Sequence, residues 1–114
     1  MIAVIFQAWP AEGQYDRYLD LAAELRPLLA GIEGFISIER FQSLADPGKV
    51  LSLSFWEDEE AVAQWRNLEA HRAAQSAGRG RVLADYQLCI AQALRTYGRN
   101  DRQQAPGDSQ QAHR

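Results

Sequence analysis

The residues best equipped for chemistry fall within one run, Trp65 to Arg79 (WRNLEAHRAAQSAGR), which holds an indole, a histidine and three guanidinium groups. An indole brings large apolar area and a single N–H donor. A histidine changes charge close to neutral pH. Together Trp65 and His71 could wall an apolar pocket and handle a proton inside it. They stand six residues apart, about 240° round a helix at roughly 3.6 residues per turn, so they need not share a face. Core packing accounts for Trp65 equally well, and a hydrogen-bonded structural role accounts for His71. Arg66 and Arg72 read as a solvated face. Arg79 lies between Gly78 and Gly80, where bare backbone lets a ligand or anion approach closely.

Other candidates lie outside that run. Trp9, Trp56, Phe6, Tyr15 and Tyr18, with Trp65, could line one cavity between a sheet and its helices. Gln7 is a polar residue among apolar neighbours, so it must be satisfied inside or face a pocket. Gln7, Trp9, Trp56 and Arg79 are therefore candidate substrate-binding residues. Glu57, Asp58, Glu59 and Glu60 are consecutive, which suits the positive end of a helix better than paired acid and base. Cys89 reads as a small apolar residue within a strand. The histidines are His71 and His113 and the cysteine is single, so neither a metal-ligand set nor an intrachain disulfide is expected. The glycines around Arg79 lack the spacing of a nucleotide-binding loop.

These residues need a scaffold, and the chain is long enough for one. It has 114 residues, 46% of them hydrophobic, and a net charge of −3. One domain is expected from that length. The mildly acidic balance offers little to a phosphate backbone, so nucleic acid is not an expected partner. No apolar run approaches the roughly 18 residues that span a bilayer, and the first residues lack a basic flank and cleavage site. A cytoplasmic protein with no membrane partner is expected. Residues 99–114 (RNDRQQAPGDSQQAHR) contain no large apolar side chain and are expected to form a flexible polar C-terminal tail. The tail's charges sum to +1, which leaves a folded domain over 1–98 at −4.

Within that domain the periods alternate between strand and helix. Ile2 to Trp9 is β-branched and aromatic, which predicts a strand. Tyr15, Tyr18, Leu19, Ala22, Leu25, Leu28 and Leu29 recur three or four apart, predicting an amphipathic helix over 14–29, with Pro27 kinking or restarting it. Phe35 to Leu44 and Val50 to Trp56 form a hairpin about the turn Ala45-Asp46-Pro47-Gly48. Asp58 is placed to cap a second helix, running to about Ala77 with Ala61, Val62, Trp65 and Leu68 inward. Asp85 to Tyr97 alternates as a last strand. The order βαββαβ predicts an α+β, ferredoxin-like fold, a four-stranded antiparallel sheet with two helices on one face. Strands one and three are apolar on both parities, so the second sheet face also needs cover. A homodimer with two sheets face to face, a dimeric α/β barrel, is the expected answer.

The element order, the Gly34-Phe35 step opening strand two, the FWEDEEA run from 55 to 61 and the Trp65-Arg66…His71 spacing resemble the antibiotic biosynthesis monooxygenase family over residues 1 to about 97. An uncharacterised bacterial branch of that family is the nearest likeness. The resemblance implies dimeric α/β barrels, whose enzymes oxidise aromatic substrates to quinones with O₂ without metal or flavin, or degrade heme. The heme-degrading members pair a strand-one Asn with a helix Trp and a His ten residues later. The matching positions here are Gln7, Trp65 and Gln75, so heme is not expected. In the quinone-forming members the Trp is joined by an Asn one turn earlier and a Tyr six residues later, positions held here by Ala61 and His71.

The resulting expectation is a monooxygenase-type oxidoreductase without cofactor, acting on a small aromatic or quinol-type molecule. Trp65 and His71 would be its catalytic residues, and Gln7, Trp9, Trp56 and Arg79 would contact substrate. The alternative is a dimeric protein of the same fold that binds a small apolar molecule without turnover, in a ligand-sequestering or stress-related role.

Overall fold

A computed structural model describes residues 1–75 and 82–112, with side chains over 1–69 and 82–111. Strand β1 (Ile2–Pro10) leads to helix α1 (Tyr15–Ala30), the hairpin β2 (Phe35–Gln42) and β3 (Val50–Trp56), helix α2 (Glu59–Gln75), strand β4 (Leu83–Gln92) and a short helix α3 (Gly107–Ala112). The four strands form one antiparallel sheet in the order β2-β3-β1-β4. The sheet is open within the chain, and the α+β arrangement is the one the sequence predicts.

Each departure from the predicted boundaries has a local cause. Strand β2 stops at Gln42 because Ser43 turns the chain: its Oγ accepts from the N–H groups of Ala45 and Asp46 at 3.2 and 3.0 Å. Leu44 then stands fully exposed. Strand β4 begins at Leu83, opposite Pro10 across an irregularity in β1. It ends at Gln92 because its partner β1 begins at Ile2, and the next residue, Ala93, donates to the Met1 carbonyl at 2.9 Å. Pro27 does not split α1, which continues to Ala30. It sits in the last turn, where the helix loses little by one missing N–H. Asp58 does cap α2, with Oδ1 accepting from the Ala61 N–H at 2.9 Å.

The register assigns every strand residue to a face. Val4, Ala8, Val50 and Trp56 are buried, in clusters with Leu29 of α1, Ala61 and Val62 of α2, and Tyr18 of α1. The helices therefore lie on the side of the even-numbered residues of β1 and β3. Across the sheet these residues form rows, one of which runs Arg40, Ser52, Phe6, Leu88 and the next Ile38, Ser54, Val4, Ile90. The opposite face carries Ile5, Leu51, Leu53 and Phe55, all half-buried. It is as apolar as the sequence predicts.

Beyond Ala93 the chain leaves the sheet. Its radius of gyration is 16.9 Å, against roughly 13 Å for a compact chain of about 100 residues. The predicted flexible tail has local structure that its composition did not announce. Arg102 donates to the carbonyls of Gly98 and Ser109 and lies 5.3 Å from the Tyr97 ring, and Ala105 is buried. A long polar side chain here supplies the internal contacts that large apolar residues usually make.

One glycine fixes how α2 meets the sheet. Gly34 has φ +93°, and a Cβ there would stand 2.9 Å from the Ala61 Cβ. Its carbonyl accepts from the Glu57 N–H at 2.8 Å, holding the β3–α2 connection against the start of β2. Gly34→Ala should cost about 1–3 kcal/mol through the left-handed backbone and the lost close approach. At roughly 4–8 °C per kcal/mol for a domain of this size, calorimetry should record a clearly lowered Tm.

Candidate functional site

Helix α1 brings Tyr18 to the sheet because Tyr18 and Ala22 lie one turn apart on its buried stripe. Tyr18 packs with Ala8 and Val50, beside the row that Arg40 opens on β2. The Arg40 guanidinium lies close enough to the Tyr18 phenol for its charge to act on it. Its Nε is shielded from water and has no acceptor. On the other side, Glu69 of α2 acts electrostatically on Tyr18. Glu69 lies one helical turn after Trp65 and so shares its inward face. The indole of Trp65 packs 6.0 Å from that of Trp56.

This arrangement sets the protonation of its members. Burial pushes the Tyr18 phenol above its ordinary range, against the opposing charge of Arg40. The phenol thus stays a neutral donor at physiological pH. Burial alone raises the Glu69 carboxyl, so this group holds its proton more readily than an exposed glutamate. A carboxyl tuned upward in an apolar setting is chemically suited to general acid or base work. The floor nearby is apolar, because Tyr86, Leu88 and Ile90 of β4 lie on the helix side with 62%, 45% and 43% of their surface exposed. Tyr86 also packs 5.8 Å from Phe6.

The sequence-predicted candidates divide between the two faces of the sheet. Trp65 is on the helix side and half-buried. Trp56 is there too, but it is fully buried against Phe35 and Trp65, and its Nε1–H donates to Ser54 Oγ at 2.9 Å. No surface of it is open to a ligand in this chain. Gln7 stands between Leu51 and Gln87 on the opposite face. Trp9 is on that face as well, at the hairpin end, where its N–H points to Asp46 Oδ2 at 3.3 Å and Lys49 Nζ lies 5.2 Å from the ring centre. The single cavity expected from the aromatic set is therefore not formed, since the sheet separates Gln7 and Trp9 from Trp65. Phe6, not Gln7, faces the helices. The side chain of His71 and the whole of Arg79 lie outside the described residues. Among the described residues no cluster of His, Cys, Asp or Glu could hold a metal ion, and no helix is long and apolar enough to cross a membrane.

Tyr18, Arg40 and Glu69 as a polar group escaped the sequence reading. Tyr18 is legible as a stripe aromatic that could line a cavity, without its polar neighbours. Arg40 and Glu69 sit in ordinary polar positions of a strand and a helix. Only the register of β2 on β3 and the docking of α1 bring them together.

The raised Glu69 carboxyl has a measurable consequence for stability. The folded state binds its proton at pH values where the unfolded chain has released it, so stability falls as pH rises from the ordinary glutamate range through the folded value. Glu69→Gln removes that slope. Urea unfolding at about pH 5 and about pH 8 should show wild type losing more stability between the two than the variant; equal losses would contradict a desolvated carboxyl.

Comparison with known proteins places this geometry. The model of the family described as antibiotic biosynthesis monooxygenase matches residues 1–77. A protein of Pyricularia oryzae named jasmonate monooxygenase ABM is 46% identical over 101 residues, 89% of this chain, and the chain spans only 47% of that relative's length. The uncharacterized protein YqjZ of Bacillus subtilis is 30% identical over 93 residues, covering 82% of this chain and 79% of YqjZ. Among solved structures, Rv0793 of Mycobacterium tuberculosis superposes with a TM-score of 0.71 at 14% identity, covering 85% of this chain and 98% of its own. A structure described as an antibiotic biosynthesis monooxygenase gives 0.67 at 20% identity, covering 82% and 99%. The two structures share the fold, while the family model and the relatives in sequence carry the descent: the chain belongs to the antibiotic biosynthesis monooxygenase family.

Proposed function

We propose that the protein is a cofactor-independent monooxygenase that oxidises a small aromatic or quinol-type substrate with O₂ on the helix side of its sheet. The observation that carries this reading is the 46% identity, across 89% of the chain, to a protein named as a monooxygenase. The site supports it with an apolar floor, the Trp65 indole and a carboxyl, Glu69, suited to proton transfer. Removing a proton from an activated C–H or phenol leaves an electron-rich anion that O₂ can attack. A ring CH₂ then becomes C=O: one oxygen atom stays, the other leaves as water, and the substrate supplies all the electrons. Trp65 walls the pocket, and Glu69 or His71 takes the proton, with Arg79 available to hold developing negative charge. Gln7 and Trp9 have no part in this reading, because they face away from the helices.

The outer face supports a homodimer as its partner. Ile5, Leu51, Leu53 and Phe55 are contiguous across β1 and β3 by register, and Phe41 beside them is 42% exposed. Apolar surface of this kind marks an interface. A second copy packed sheet to sheet would bury it and close a barrel across two chains.

Oxygen consumption by the chelator-treated protein should be saturable with at least one member of a panel of dihydroxyarenes, anthrone-like phenols and jasmonate, with no flavin or metal added. At least one of Glu69→Gln and His71→Ala should lower kcat by about 100-fold or more, the usual loss when a proton-transfer group is removed, and Trp65→Ala should lower kcat/KM by opening the pocket wall. Absence of uptake across the panel, with tight binding seen by tryptophan quenching, would replace this reading by the ligand-binding alternative. Light scattering should return twice the chain mass. Leu53→Glu should shift it toward the monomer, and a monomeric wild type would remove the barrel.

A further inference from the structure

We propose that Arg40, with the Tyr18 phenol beside it, binds a carboxylate, so that the substrate is a small apolar carboxylic acid held by its anionic end. This rests on the reading above of the helix side as the substrate side. Arg40 is half-buried, and its Nε–H is shielded from water with no acceptor among the described residues. The Tyr18 phenol beside it is neutral. A donor left without an acceptor is costly. An arrangement of this type is stabilised when an anion arrives.

The surroundings say what kind of anion. Arg40 lines a cleft of about 650 Å³ bounded by α1, β2 and β3, with Arg26 and Glu39 as its other charged groups and Leu19, Ile38, Leu53 and Phe55 among its apolar lining. The charged lining is thus Arg26, Arg40 and Glu39, a single net positive charge. That balance suits a monoanion and disfavours a phosphate dianion. A guanidinium edge offers two parallel N–H groups, here Nε and an adjacent Nη, whose spacing matches the two oxygens of a carboxylate. The apolar side chains that line the same cleft fit a molecule with one charged end and an apolar body.

The test uses the full chain and two probes of the same shape, 3-phenylpropionate and its methyl ester, titrated calorimetrically at neutral pH. The acid is expected to bind at least tenfold more tightly than the ester. Arg40→Gln should abolish the difference by weakening the acid tenfold or more while leaving the ester within twofold. If Arg40→Gln fails to fold by circular dichroism, Arg40→Lys decides, since it keeps the charge but not the paired N–H groups. The acid should then weaken at least fivefold with the ester unchanged. Equal affinity of acid and ester for wild type, or discrimination that survives either folded variant, overturns the proposal. Its failure is separable from that of the monooxygenase reading: Arg40-dependent acid binding without oxygen uptake sinks only the latter, and oxygenation that ignores the carboxylate sinks only the former.

Discussion

The indole of Trp56 is the contact on which the other helix-side elements converge. It is carried by the last residue of β3, is fully buried, and touches or clusters with residues of β1, β2, α1 and α2 through Val4, Phe35, Leu29, Ala61, Val62 and Trp65. Burying so large an apolar group contributes several kcal/mol, on the order of 3. It also costs a buried N–H, which Ser54 Oγ on the same strand accepts. Position 54 must therefore be small enough to lie beneath the helices and polar enough to satisfy the indole. The close approach of α2 at Gly34 belongs to the same constraint, since a side chain there would push Ala61, and with it Trp65, away from Trp56.

The second consequence of that packing is room. Ser52 and Ser54 are buried on the helix side of β3, where a central strand facing two helices would ordinarily carry large apolar residues. Their small volume lets aromatic side chains from the helices reach the sheet, Tyr18 near Val50 and Trp65 against Trp56. Between Val50 and Trp56, which face the helices, the large residues Leu51, Leu53 and Phe55 point the other way. The middle of the strand is thus small and polar on the inside and apolar on the outside.

What could be read from the sequence follows from the range of the interactions involved. The element order, the hairpin at Ala45 to Gly48 and the cap at Asp58 depend on residues a few positions apart, and all three appear as expected. The two-sided apolar character of β1 and β3 was also legible, because alternation is a property of the strand itself. Which parity faces the helices was not. Gln7 and Phe6 are neighbours, and only the register that sets Val4 opposite Ser54 and Ile90 decides that Phe6 turns inward and Gln7 outward. The grouping of Tyr18, Arg40 and Glu69 depends on three elements docking at once. No local pattern encodes it.

The inner polar group also bears on how selective the site can be. In a pocket lined by apolar side chains alone, an extra methylene changes binding only modestly, whereas an unpaired buried donor discriminates strongly against ligands that leave it unpaired. Arg40 Nε is such a donor. Ligand choice on the helix side is therefore governed less by the shape of the apolar floor at Leu88 and Ile90 than by whether a ligand offers an acceptor to the guanidinium. On the proposed reading Glu69, raised by burial, would handle the proton and Arg40 the anion, with the neutral Tyr18 phenol within electrostatic reach of both.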